Sequence, residues 1–425
     1  MAEFDFPGWT DGVNNVERED RVPPAALRSA VNVDIDRTGG LRRRRGYTRR
    51  VSLSDARSGV SHLGFLYLAD QADFLRVDPS DFSTEIVAEL PPQATPRYAP
   101  LNENLYVTFE GGEPFRITPS GDAEPWAPEH PWGQPALQAA SMGSLPPGEY
   151  QVAVTFLRGR EESGTGKAAT VTLTAEGSIV LTDIPVSARQ DTTGVRVYVT
   201  TPSGTVLYFY GDYPVGTSTI YLTRLPEGKQ LETQFMEPLP AGHIVTAYRG
   251  RLYSAVGNRV YYSRALRYGL CNPAQDFFDF SERVDMVRPV ENGVFVGAGK
   301  RVVFLAGTNP DDMQQTIAHH SGAVEGTDTE VPAGMFSFEN LSTGFIAAWW
   351  SKVGVMVLGF PNGQVQPVRQ GELALPEFAR GATMLREEDG VQQLVSVLSQ
   401  PKTPQSALAA RDEAVVTVHR RGIEI

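Results

Sequence analysis

Short stretches in which apolar and polar side chains alternate recur from about residue 51 onward, separated by Gly, Asn, Asp and Pro. A period of two bounded by turn formers predicts β-strands. Leu63 to Leu68 predicts one strand, Phe74 to Val77 its partner ahead of an Asp78-Pro79 turn, and Glu85 to Leu90 a third. Leu105 to Phe109, a Gly111-Gly112 turn and Pro114 to Ile117 repeat the phrase, with Leu66-Tyr67 and Leu105-Tyr106 39 residues apart. It returns as Gly250 to Val256, Gly257-Asn258 and Arg259 to Ser263, and as Asn292 to Val296, Gly297 and Lys300 to Leu305. Val353 to Leu358, a Pro361-Asn362-Gly363 turn and Val365 to Val368 predict a further copy, and Gln393 to Leu398 with Ala414 to Val418 the last.

Hairpins spaced by about forty residues are the pattern of β-propeller blades, each of which buries its faces only against its neighbours. The spacing becomes irregular beyond Phe304, so a set of unrelated hairpins in a β-sandwich stays open as the alternative. Between the two runs of repeats the pattern changes. Gly148 to Phe156, Ala169 to Leu173, Ser178 to Leu181, Val195 to Thr200, Leu207 to Tyr210 and Thr217 to Leu222 predict a compact set of short strands, as in a fibronectin- or immunoglobulin-like sandwich. Pro125 to Pro135 and Met236 to Pro240 read as its linkers.

The first fifty residues follow neither pattern. Asn32-Val33-Asp34-Ile35-Asp36 alternates as one half-buried strand, Thr38-Gly39-Gly40 supplies a turn, and Leu41 starts a return strand that carries arginines out to Tyr47. Pro23-Pro24 prevents an earlier helix, and Ala25 to Ala30 predicts a single helical turn. The expected architecture is all-β: a β-propeller-like body with an inserted fibronectin/immunoglobulin-like β-sandwich and an extended N-terminal arm. The expected divisions are 1–50 for the arm, 51–135 for the first blades, 136–232 for the sandwich and 233–425 for the remaining blades.

Composition agrees with a folded chain, with 41% hydrophobic and 21% charged residues, 41 Gly and 31 Pro. A formal net charge of −12 argues against a protein that coats nucleic acid. The charge is uneven. Residues 1–50 hold ten arginines and eight acids, and from Arg37 to Arg50 there are seven arginines and no acid. Arg42, Arg43, Arg44, Arg45, Arg49 and Arg50 read either as a solvated edge or as an assembly contact for an acidic surface, which the planar guanidinium fork suits. The single cysteine, Cys271, excludes an internal disulfide and fits synthesis in a reducing cytoplasm. No secretory signal is expected, and Thr343 to Phe360 is too interrupted to span a membrane.

Candidate chemistry is thin. Gly164-Thr165-Gly166-Lys167 ends like a phosphate-binding loop, but Glu161 stands at the first glycine position and Ala168 follows the lysine. Gly297-Ala298-Gly299 lacks the third glycine of a dinucleotide fingerprint. His319-His320 has no companion ligand at metal-site spacing, and Asp34 with Asp36 lacks a third oxygen ligand for calcium. No catalytic, cofactor or metal residues are assigned. Ser120 to Trp126 begins like a glycosidase-type turn without completing it. Trp349-Trp350 predicts one core ring beside one rim ring, the latter a sugar platform in an enzymatic reading.

Gly12-Val13-Asn14-Asn15, Glu19-Asp20, Pro23, Ala30, Asn32-Val33-Asp34-Ile35, Gly40-Leu41 and Arg44-Arg45-Gly46-Tyr47 are similar to the start of tail nozzle proteins, also called stabilisation or head-completion proteins, of short-tailed bacteriophages. Val260 to Ser263, Pro273, Phe277 to Phe280, Val287 to Val290, Gly293 to Val296 and Val302 to Gly307 resemble that family's central blades. Gly148-Glu149-Tyr150 and Glu162-Ser163-Gly164 resemble the sandwich insert of some members. The resemblance implies a non-enzymatic virion protein, made in the host cytoplasm and placed in the tail. It implies a ring of six copies below portal and adaptor proteins, DNA passing through without sequence-specific binding, attachment of tail fibres or spikes, and no membrane insertion. The arm would pack on the adaptor or on a neighbouring copy. A propeller enzyme or lectin acting on host-surface glycans, and a propeller adaptor for other proteins, are the competing expectations.

Overall fold

The computed structural model describes residues 8–35, 39–46, 48–336, 344–368, 371–373, 375–388, 391–400, 413–419 and 422–424. Among the described residues the regular elements are strands, apart from the 3-10 turns Glu19–Arg21, Pro310–Asp312 and Ala333–Met335. Six four-stranded sheets carry the body, and in each the strands follow one another in chain order. The first is Ala56–His62, Phe65–Asp70, Asp73–Val77 and Thr84–Glu89; the second is Arg97–Leu101, Asn104–Thr108, Phe115–Ile117 and Ala123–Pro125. The third is Ile244–Tyr248, Arg251–Val256, Arg259–Tyr262 and Phe277–Asp279; the fourth is Val284–Val290, Gly293–Ala298, Arg301–Ala306 and Gln314–His319. The fifth is Thr329–Pro332, Phe345–Trp350, Met356–Gly359 and Val365–Pro367; the sixth is Arg380–Glu388, Val391–Ser399, Glu413–His419 and Gly422–Glu424. Repeated four-stranded meanders are the blades of a β-propeller-like body.

The chain forms two compact units. One comprises Asp55–Val256 with Val260–Phe278; the other comprises Met1–Ser54, Gly257–Arg259 and Asp279–Ile425. The first holds the first three sheets and the sandwich. Tyr67, Ala69 and Phe74 of the first sheet pack on Leu105, Val107 and Ile117 of the second. Ala99 and Tyr106 on the second sheet's other side pack on Val245 and Leu252 of the third. Successive side chains of Asn104–Thr108 therefore serve opposite cores, and the strand is apolar on both faces.

In the sandwich, Ala136–Leu145, Gly177–Thr182 and Ile220–Leu222 form one sheet. Glu161–Glu162, Gly148–Arg158, Gly194–Thr200 and Leu207–Pro214 form the other, with Ala169–Leu173 also paired to Gly148–Arg158. Val152, Val154, Phe156, Val195, Val197 and Val199 point inward at every second position onto Ile179, Leu181, Ile220 and Leu222. Each such side chain, fully buried, contributes roughly 1.5–3 kcal/mol of transfer free energy.

In the second unit the fifth sheet is buried on both sides. Ala347 and Trp349 join Phe295 and Phe304 of the fourth sheet, while Ile346, Ala348 and Trp350 join Leu394 and Leu398 of the sixth. Both tryptophans are wholly buried, so the expected rim ring is corrected: a sheet sandwiched between sheets has no solvent face on which alternation could place one. Val353 to Leu358 is also corrected. Val353 and Gly354 belong to the turn closed by Ser351 N–H onto Val355 O at 2.8 Å, and the strand is Met356–Gly359.

The arm lies on its own chain. Gly12–Val13 pairs in parallel with Ala26–Leu27, and Val33–Ile35 pairs antiparallel with Leu41–Arg43. The helical turn expected at Ala25 to Ala30 is a strand edge instead; Pro23 and Pro24 favour extended backbone, and the 3-10 turn sits before them at Glu19–Arg21. Val13 and Ala30 are buried in the same core as Trp350, Leu394 and Leu398, and Asn15 N–H donates to Glu372 O. Gly39 has φ +85°, and a Cβ there would stand 3.0 Å from Gly8 Cα, so the turn requires glycine. Asp36, Arg37, Thr38 and Tyr47, named above, lie outside the described residues.

Candidate functional site

The arginine segment does not present one face. Arg44 turns inward: its Nε donates to Asp34 Oδ1 at 3.0 Å, with side-chain exposures of 10% and 4%. It is a strut of the arm hairpin, which corrects its assignment to an outer contact: a guanidinium buried against a carboxylate cannot reach a partner. The same pairing occupies Asp34. Arg42 lies opposite Asp34 in the hairpin register and is partly covered. Arg43, opposite Val33, is exposed, as are Arg45, Arg49 and Arg50, and Arg49 Nε reaches Val51 O.

A polar site lies in the first unit, where the second sheet meets the sandwich. Arg116 on Phe115–Ile117 donates to Glu124 Oε2 at 2.9 Å and to Glu161 Oε1 at 2.6 Å. Arg158, at the end of Gly148–Arg158, donates to Glu161 Oε2, to Asp191 Oδ2 and to Pro125 O. Glu161 thus sits between two guanidinium groups. Burial alone would lower the Arg116 pKa, but the hydrogen bonds and charge of Glu161 and then Glu124 outweigh it and hold the group above the usual arginine range. Glu162 accepts from Thr155 Oγ1 at 2.8 Å, Tyr198 Oη at 2.6 Å and Arg196 at 3.2 Å. Arg196 also grips Asp212 through both nitrogens of its fork, at 2.6 and 2.9 Å. Burial, then the bond to Glu162, pushes the Tyr198 phenol above its ordinary value. Glu129 receives Ser187 Oγ and the N–H groups of Ala188 and Arg189, tying the linker to the sandwich.

Beside this lattice is a hollow of about 490 Å³ lined in part by Asn104, Tyr106, Arg116, Glu161, Glu232 and Tyr268. A glycosidase needs two carboxyl groups flanking a substrate, one of them able to hold a proton. The Glu161 and Glu162 carboxylates in this hollow are both ion-paired with arginines. The ion pairs tie the second sheet to the sandwich. Sequence reasoning passed over it; the available signal was Glu161-Glu162 within an alternating β segment, where a charged pair needs cations opposite.

The rejected motifs sit in structural places. Gly164 to Lys167 is a connection between strands, and a Cβ at Gly164 would stand 1.7 Å from Met236 O. Ser120 to Asp122 is the hairpin turn before Ala123–Pro125, held by Ser120 Oγ on Asp122 and Thr118. His319 Nδ1 meets the Ser321 backbone. Among the described residues no group of three His, Cys, Asp or Glu side chains is placed to hold a metal, and no helix is long and apolar enough to cross a membrane. Cys271 is buried, and burial, with the charges of Asp276 and Glu237, pushes its thiol up to about 12.

No protein-family model matches the chain, and no curated protein does. Solved structures do. A chain of the Mitotic Checkpoint Complex is similar at 10% identity and a TM-score of 0.32, over 81% of this chain and 86% of that one. The Neurospora crassa Pan2 WD40 domain is similar at 8% identity and 0.32, over 80% and 85%, and the N-terminal domain of Nup159 at 9% and 0.29, over 81% and 73%. At such identities and scores they say nothing of what this chain does.

Proposed function

We propose that the chain is a structural protein of a short-tailed bacteriophage virion, a ring-forming tail nozzle that continues the DNA channel below the portal and adaptor and anchors fibres or spikes. The observation that carries this reading is where the residues of the N-terminal resemblance lie. Val13, Asn14, Ala30, Asp34 and Ile35 are all buried, and Arg44 completes the pair with Asp34. Glu19, Asp20, Pro23, Asn32, Leu41, Arg45 and Gly46 of the same resemblance are exposed, so the motif divides into residues that dock the arm and residues that face outward, and the docking residues support a constructional role. The arginine-bound carboxylates of the hollow beside the sandwich support the same side, as does an acidic chain, which lets a DNA backbone slide rather than stick. The arm's place on its own sheets narrows the expectation: the arm's outer strand, not the whole arm, is what remains for a neighbour.

Electron microscopy of virions made with and without this gene tests the proposal. Tail-less heads that lose DNA are the expected outcome, and intact tails would refute it. A glycan-cleaving activity lost on changing one carboxylate would establish the enzymatic alternative instead.

A further inference from the structure

The outer strands of the sheets are edges with unpaired backbone groups, and most are protected in recognisable ways. Thr84–Glu89 carries Glu85 and Glu89; Ala123–Pro125 carries Glu124 and ends in proline; Val365–Pro367 is three residues and ends in proline; Phe277–Asp279 is three residues with an acid. Gln314–His319 differs. It is six residues long, pairs among the described residues only with Arg301–Ala306, and contains no Lys, Arg, Asp, Glu or Pro, a lack that the sandwich edge Ala136–Leu145 shares. Gln314, Gln315, Thr316 and Ile317 are all exposed, Ile317 at 52%. Beside it is a hollow of about 250 Å³ whose lining includes Asp279, Phe280, Ser281, Arg301, Gln315 and Ile317. Exposed Asp311 and Asp312 stand just before the strand. An open edge flanked by acids fits an extended basic strand, whose main chain supplies the hydrogen bonds and whose side chains supply selectivity.

The geometry points to the Gln314–His319 edge accepting the hairpin strand Leu41–Arg43 of a second copy of this chain. That strand belongs to a two-stranded sheet, a form that gains from a further neighbour, and its Leu41 and Arg43 are exposed. An edge on one side of a copy meeting a different strand of the next is a heterologous contact, the type that closes into rings. The inference rests on the ring-forming reading above and assigns the surfaces it uses.

The test uses the full chain in native mass spectrometry and analytical ultracentrifugation, with circular dichroism to confirm folding. Wild-type protein is expected to assemble. Ile317→Lys, a change at an exposed position, and Arg43→Glu are each expected to weaken assembly about tenfold or more. Arg43→Glu combined with Asp312→Lys is expected to regain part of the loss. Differently tagged chains carrying Arg43→Cys and Thr316→Cys should form a mixed disulfide dimer on oxidation. Wild-type assembly left unchanged by both Ile317→Lys and Arg43→Glu would overturn this contact while leaving the nozzle reading, which the virion experiment decides, intact. A wild-type chain that stays monomeric throughout, or a disulfide that forms only within single chains carrying both cysteines, would also overturn it.

Discussion

Trp349 and Trp350 offer a controlled comparison within one strand. Both rings are fully buried, and both lie in sheet-to-sheet cores. Their indole N–H groups differ. Trp350 Nε1 donates to Ser396 Oγ at 2.8 Å, and that hydroxyl also meets Thr383 Oγ1 at 2.9 Å. Trp349 Nε1 has no hydrogen-bond partner among the described residues. Tryptophan to phenylalanine removes the same atoms at both positions, so the volume and transfer losses nearly cancel between the two variants. What remains is the polar group. Trp350→Phe loses a bond worth about 1 kcal/mol, with Ser396 still held by Thr383. Trp349→Phe removes a buried donor that costs about 1–3 kcal/mol to leave unpaired. The Trp350 variant should therefore be the less stable of the two by about 2 kcal/mol, near thirtyfold in an opening constant. Native-state hydrogen exchange of the Phe345–Trp350 amides reads that constant locally, without assuming that the whole chain unfolds in one step. Equal protection in the two variants, or lower protection in Trp349→Phe, would refute the reasoning.

Asp34→Ala should destabilise the arm by about 3 kcal/mol, because it strands a buried guanidinium, and Asp34→Ala with Arg44→Met should recover most of that; arm amide exchange measures both. Glu161→Ala should loosen the sandwich from the second sheet by about 1–2 kcal/mol, a value held down by the partial exposure of Glu161, and faster exchange of the 187–189 amides would report it. The Cys271 thiol should resist alkylation at pH 8 until the chain unfolds. Its raised pKa also sets a sign. Between about pH 9 and about pH 12 only the unfolded thiol ionises, so stability is retained below that window and falls across it by about 1.4 kcal/mol per pH unit. Cys271→Val should flatten the fall, and an unchanged slope would show that the buried tyrosines alone produce it.

Strands with two buried faces were legible because they are long apolar runs: Leu105 to Phe109, Arg251 to Val256 and Arg301 to Leu305 are found within a residue or two of their predicted positions. The leading strands were not. Ala56–His62 and Arg97–Leu101 contain Ser, Gly, Arg and Pro, and they are half-exposed, so no period stands out. Phe345–Trp350, Phe-Ile-Ala-Ala-Trp-Trp, was not placed as a strand, because the two alanines at its centre are weak strand formers. The arginine run was visible, but composition could not tell Arg44, whose partner lies ten residues back across a turn, from Arg43 beside it. The Glu161 lattice depends on side chains from distant strands, which a pattern of spacings does not bring together.

The second unit's core has a consequence for how the chain is made. It joins Val13 and Ala30 to Leu394 and Leu398, about 380 residues later. At about 5–20 residues per second a ribosome needs roughly 20–80 s to cover that distance. Throughout that interval the sheets of the first unit, which draw on residues 55–278, can fold behind it, while Val13 and Ala30 wait with their apolar faces uncovered. The core that buries the arm is complete only once Leu394 and Leu398 are in place, so a prematurely ended copy lacks part of the surface that covers Val13 and Ala30.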